Sequence, residues 1–169
     1  KDVINDSDLN LDLKKITNSE SPEILIAGCG TGQHAITTAS KYKKSKILAL
    51  DLSFKSLSYA KRKANELKIN NIEFIQGDIL DLESIDRKFD IIESVGVLHH
   101  MDNPFKGWKI LTSCLNNNSL MLIGLYSEKA RQHIKEIKNK INKLKLQSNY
   151  KNIIKFRKNL IENNDDHWN

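Results

Sequence analysis

Cysteine and proline are scarce in this chain of 169 residues, with two of each, and no apolar stretch is long. Cys29 lies in a glycine-rich segment and Cys114 in a predicted helix, with neither the spacing of metal ligands nor the numbers of a disulfide framework. Cysteine-held metal and a disulfide-stapled secreted scaffold are therefore excluded, and a reducing, cytoplasmic setting is expected. No run approaches the roughly 20 apolar residues of a membrane span, and no basic-then-apolar leader is present. Pro/Gly-rich linkers and internal repeats are also missing. The length suits one domain with a sizeable core. A first residue of Lys1 rather than Met fits a fragment or a processed chain.

The formal charge of +6 is not spread evenly. Residues 1–127 carry 16 basic and 16 acidic residues, whereas residues 128–169 carry 11 basic and 5 acidic ones. The excess belongs to the tail. Of the 27 basic residues 23 are Lys, which fits a general compositional bias as well as it fits a binding surface. A basic face permits a nucleic-acid partner without indicating one.

Strand and helix patterns alternate with short connections, the mark of βαβ units and a parallel sheet. Strands are predicted at Glu23–Ala27, Lys46–Leu50, Ile72–Ile75, Phe89–Glu93 and Leu120–Tyr126, the last apolar enough to be buried on both faces. Helices are predicted from Gly32 to Tyr42, after a Ser53 cap, briefly over Ile79–Ile85, and over Asn103–Leu115 with Pro104 in the first turn. The helix after Ser53 shows a core stripe of Leu57, Ala60, Ala64 and Leu67. Beyond Ser127, Ile134, Ile137, Ile141 and Leu144 mark a long amphipathic helix rich in Lys.

The most informative segment is Ile24-Leu-Ile-Ala-Gly-Cys-Gly-Thr-Gly-Gln-His34. An apolar strand feeding a glycine turn and a helix start is where α/β proteins bind adenosine-containing ligands. A dinucleotide turn requires a third glycine at position 33, where Gln33 stands. Glycine falls instead at Gly28, Gly30 and Gly32. Asp51, Asp78 and Asp90 follow where the ends of successive strands are expected, positions that can converge on one crevice in a doubly wound sheet. A carboxylate at Asp51 can accept from both ribose hydroxyls and disfavours a 2′-phosphate.

The ordered set Gly-Cys-Gly-Thr-Gly, Ala49-Leu50-Asp51, Gln76-Gly77-Asp78-Ile79 and Phe89-Asp90-Ile91-Ile92 through Val97-Leu98-His99-His100 resembles the class I S-adenosylmethionine-dependent methyltransferase family, over residues 20–127. The resemblance implies a Rossmann-like, doubly wound, mostly parallel α/β sheet. Its usual last two strands are not found after Tyr126, where a basic helical segment stands instead. The organisation expected is a helical lead-in over 1–20, a cofactor-binding core over 21–127 and a basic tail over 128–169. Asp8–Ile16 would supply part of a lid.

The resemblance also implies roles. Gly28, Cys29, Gly30 and Gly32 would form the turn under the methionine part of S-adenosylmethionine. Asp51 would hold the ribose and Leu52 pack on the adenine. Asp78, with the Ile79 backbone, would meet the adenine amino group, and Asp90 would be structural. The segment from Glu93 to His100 would line the transfer site. There Glu93 would bind the cofactor, orient an acceptor or simply end the strand, and His99 and His100 either take a proton or bond locally. His34 would be structural or adjacent to the cofactor. No metal ligands are expected.

The place where relatives acting on the exocyclic amine of adenine or on glutamine carry an Asn/Asp-Pro-Pro-aromatic motif reads Glu93-Ser-Val-Gly-Val-Leu-His-His100, which resembles the branch acting mostly on small molecules and lipids, with some members that modify RNA or proteins. Asn116-Asn-Asn-Ser119 replaces a common Pro-Gly-Gly turn, and Asn tolerates the left-handed conformation such a turn needs. Two other readings stand beside methyl transfer: a Rossmann-type nucleotide-binding oxidoreductase, and a non-catalytic module docking a partner through its basic tail.

Overall fold

The structure, a computed structural model, describes residues 20–162, so Asp8–Ile16 lies outside the described residues. It divides into two compact units between Leu125 and Tyr126.

In the first unit, β1 (Glu23–Ala27), β2 (Lys46–Asp51), β3 (Ile72–Gln76), β4 (Phe89–Val95) and β5 (Leu115–Gly124) form one sheet. Its order is β3-β2-β1-β4-β5 and every neighbouring pair is parallel. Chain order reverses direction between β1 and β4, which puts a ligand crevice at the carboxyl ends of those strands. The central strands are buried on both faces. Leu25 and Leu48 pack with Phe89 and Leu111 on one side, while Ile24, Ile26 and Ala49 pack with Ala35, Ala39 and Leu57 on the other.

Three helices cover these faces: α1 (Gln33–Lys41), α2 (Phe54–Glu66) and α3 (Pro104–Ser113). Ser53 Oγ accepts the Ser56 N–H at 3.2 Å and Asn103 Oδ1 accepts that of Lys106 at 3.1 Å, so both predicted helix starts carry side-chain caps. Leu57, Ala60 and Ala64 are buried, but Leu67 is exposed. Leu67 is the C-cap, and the left-handed Lys68 (φ 56°) turns the chain away from the core there.

The fifth strand departs most from expectation. It starts at Leu115, and its pairing with β4 jumps from Phe89–Leu115 to Ile91–Leu120. The bulge this creates holds Asn118 at φ 58°, the conformation anticipated for the Asn-rich turn. None of the strand's residues is fully buried, contrary to the prediction from its apolar sequence. Among the described residues β5 pairs on one side only and is the sheet's edge. The fourth strand also runs past its predicted end, to Val95, so Glu93 lies within it rather than terminating it.

The second unit, taken alone, contains α4 (Gln132–Lys143) and α5 (Tyr150–Glu162). The predicted long helix ends at Lys143; Leu144 is an exposed cap and Lys145 (φ 47°) turns the chain into a second helix. Ile134, Ile137 and Ile141 line an apolar groove with Ile153, Phe156 and Leu160. No helix of the described residues is long and apolar enough to cross a membrane.

Candidate functional site

The glycine turn is held by its neighbours before any ligand is considered. The N–H groups of Gly28 and Cys29 both donate to the Leu50 carbonyl, at 2.8 and 2.9 Å, which ties the turn to the end of β2. Gly28 has φ 84°, and a Cβ there would lie 2.3 Å from Val97 Cγ2. Gly32 has φ 83°, and its Cβ would lie 2.5 Å from that of Ala60 on α2. Both positions therefore exclude side chains through packing and through conformation. Gly30 differs: a Cβ there would meet nothing within 4 Å, so open space stands beside its backbone.

Asp51 closes the turn from β2. Its Oδ2 accepts the Gly30 N–H at 2.7 Å and its Oδ1 the Ser53 N–H at 2.9 Å. A carboxylate has about four acceptor positions, so each oxygen keeps room for another donor. Asp78 caps the single-turn helix Ile79–Ser84, with Oδ1 accepting the Leu80 N–H at 2.9 Å. A hollow of about 380 Å³ joins these groups, lined by Gly28, Asp51, Leu52, Asp78, Ile79 and Met101 among others. Leu52 is exposed there, an apolar side chain in the lining. A second hollow of about 930 Å³ adjoins it across Gly28 and is lined by Gly30, Thr31, His34, Thr37 and Val95.

Cys29 packs its side chain into the apolar cluster of Ile24, Ile26 and Leu57. Burial, followed by the charge of Asp51, pushes its thiol up to about 12. It is no nucleophile at neutral pH, and the residue also lines the second hollow described above. Asp90 does not converge with Asp51 and Asp78 as expected: it stands at the start of β4, at the other end of the sheet, and holds the fold by accepting the Glu23 N–H at 3.0 Å and the Asn116 side-chain amide at 2.9 Å.

Among the described residues no cluster of His, Cys, Asp or Glu could hold a metal ion. His99 and His100 stand on the turn Leu98–His100 that follows β4. Their Nε2 atoms are 3.1 Å apart and their rings 4.2 Å between centroids. The turn is set by Leu98, which is fully buried in the core. Neither histidine is among the residues lining the two hollows.

Met101, which lines the first hollow beside Val97 of the Val97–His100 motif, carried no sequence signal of its own. A second feature is a contact between His34 on α1 and Glu93 on β4, where His34 Nε2 lies 2.6 Å from Glu93 Oε2. These residues are 59 positions apart, and only the register of β4 beside β1 brings them together.

This arrangement has relatives. A methyltransferase domain family matches residues 19–163. An uncharacterized protein of Synechococcus sp. is 33% identical over 121 residues, covering 71% of this chain and 29% of that protein. The (S)-coclaurine N-methyltransferase of Papaver somniferum is 29% identical over 115 residues, covering 68% and 32%. Among solved structures, PKMT2 from Rickettsia typhi in complex with AdoHcy is 31% identical with a TM-score of 0.61, covering 70% of this chain and 24% of that one. The chain thus spans about three tenths of the length of the curated relatives it matches. The chain belongs to the class I S-adenosylmethionine-dependent methyltransferase family. The dinucleotide-dependent oxidoreductase reading falls with that assignment.

Proposed function

We propose that this domain transfers a methyl group from S-adenosylmethionine to a small-molecule acceptor in the cytoplasm. The observation that carries the donor half is the Gly28–Gly32 turn, with Asp51 anchored to the Gly30 N–H and open space beside Gly30. The residues present fit the cofactor. Asp51 has free acceptor positions for ribose hydroxyls, Leu52 offers an apolar face to adenine, and Asp78 and Ile79 border the same hollow. When bound, S-adenosylmethionine supplies an electrophilic methyl on a positive sulfonium, which an acceptor takes by in-line displacement.

The protein's own work is alignment and exclusion of water. The turn fixed to Leu50 and Asp51 is preorganised, so binding does not have to order it. His99 and His100 stand at the carboxyl end of β4, and one of them takes a proton when the acceptor must lose one. The small-molecule reading rests on Glu93–His100, which lacks the Pro-Pro-aromatic motif, and on a relative named as a coclaurine N-methyltransferase. Cytoplasmic placement rests on two buried cysteines with free thiols.

Thermal denaturation with S-adenosylhomocysteine and with NAD tests the donor. A rise in Tm with the first and none with the second is expected; a rise with NAD alone would overturn the reading. Release of S-adenosylhomocysteine during incubation with amine, hydroxyl and carboxyl small-molecule panels tests the acceptor. Turnover on RNA and on none of the panels would remove the small-molecule assignment.

A further inference from the structure

Glu93 is a carboxylate in an apolar place. On β4 its Cα is opposite Ile26 of β1 and Leu122 of β5, and Ile91 precedes it on the same face. Its side chain is only 15% exposed. Desolvation of a charge on such a face is costly unless the charge is bonded. Two residues one helical turn apart on α1 do this. His34 Nε2 is 2.6 Å from Glu93 Oε2, and Thr38 Oγ1 donates to the same oxygen at 3.4 Å. The spacing of four residues puts both side chains on one stripe of the helix.

Both bonds fall on Oε2, and among the described residues Oε1 keeps its acceptor capacity. Its neighbours border the second hollow. Glu93 is not itself in the lining of either hollow, but Ile26, its register partner, Val95, two residues further along β4, and His34, bonded to its carboxylate, all line the second one. That hollow meets the one bordered by Asp51 and Asp78 at Gly28. A nucleoside seated against Asp51 and Asp78 would have its 5′ substituent beside Gly28 and Gly30, in the hollow that His34 lines.

We propose that Glu93 recognises the α-ammonium of the donor's amino-acid end, and that His34 is a positioning residue holding the carboxylate for it. The inference rests on the donor reading above. It makes Glu93 selective for donors that keep their amino-acid end. It also gives His34 no direct role toward the nucleoside.

The test compares S-adenosylhomocysteine with 5′-methylthioadenosine, which lacks the amino acid, by calorimetry on the 169-residue chain. Glu93→Gln keeps the shape and removes the charge. It should weaken S-adenosylhomocysteine about tenfold or more, the size of a lost charged hydrogen bond, and leave methylthioadenosine unchanged. His34→Gln should weaken S-adenosylhomocysteine by a smaller factor, also without effect on methylthioadenosine. The double variant should match Glu93→Gln alone, because the two act through one contact. Equal weakening of both ligands in either variant would reduce the pair to fold support and overturn the proposal, as would unchanged affinity for both. Failure of the wild type to bind either ligand would instead bring down the donor reading itself. His34 is half exposed, so its substitution does not threaten folding even if that of Glu93 does.

Discussion

The backbone N–H of Gly30 donates to Oδ2 of Asp51 across 2.7 Å, joining the glycine turn to the end of the neighbouring strand. One carboxylate thus shapes the turn and stands ready for a ligand. Asp51→Ala should abolish both effects, while Asp51→Asn keeps an oxygen for one of them. S-adenosylhomocysteine affinity is expected to fall roughly tenfold to a hundredfold in Asp51→Ala, the range for losing hydrogen bonds to a charge. Asp51→Asn should fall between Ala and wild type. Calorimetry reads the affinity and far-UV circular dichroism confirms the fold; an unchanged affinity in Asp51→Ala would refute the ribose assignment.

Gly28 and Val97 are in contact so close that a Cβ at position 28 would lie 2.3 Å from Val97 Cγ2. Gly28→Ala therefore meets a steric clash and the cost of a positive φ together. A loss of about 2–4 kcal/mol is expected, combining overpacking with a strained backbone. Adding Val97→Ala removes the clash and leaves the strain, so the double variant should regain part of the stability. Urea denaturation of the three variants separates the terms. Full recovery, or none, would contradict this division.

The two thiols offer a direct chemical check. Cys29 is buried and its thiol is pushed up to about 12, first by desolvation and then by the charge of Asp51. Cys114 is also buried, and its thiol is raised mainly by desolvation. Neither should react with a thiol-exchange reagent at neutral pH while the protein is folded, and both should react in denaturant. Fast labelling of Cys29 in the native protein would show that the turn opens. Labelling slowed by S-adenosylhomocysteine would link that opening to the site.

The parts of the fold legible in the sequence were those written locally. Ser53 before a stripe of Leu57, Ala60 and Ala64 announces a capped helix, and glycine at alternate positions after an apolar strand announces a turn. The misread residues depend on neighbours remote in the chain. Leu120 to Leu125 looks like an interior strand because it is apolar, yet its burial depends on the strand order, which leaves β5 at the edge. Leu67 has the right spacing for the core, but the left-handed Lys68 ends the helix beneath it. Glu93 was a candidate on its own, but its partner could not be named. The contact with His34 exists only because β4 lies beside β1 with Ile26 in register with Glu93.

At the opposite end of the sheet from the site, Arg87 Nη2 lies 2.8 Å from Glu23 Oε2 and Nη1 lies 3.4 Å from Glu73, with Lys46 3.3 Å from Glu23 Oε1. Burial of Glu23 works to raise its carboxyl. The hydrogen bonds from Arg87 and Lys46, with the charges of both, outweigh it and hold the carboxyl below its ordinary value. The sign follows from linkage. A group with a lowered folded value contributes stability above its unfolded value of about 4.3, and that stability is lost as pH falls through the folded value. Glu23 is 27% exposed and Arg87 33%, so solvent screening limits the contribution to about 1 kcal/mol. Arg87→Met should lower the urea midpoint modestly near neutrality and flatten its decline on acidification below about pH 5. If the variant keeps the wild-type slope over that range, acid sensitivity originates elsewhere and the cluster is only a surface feature.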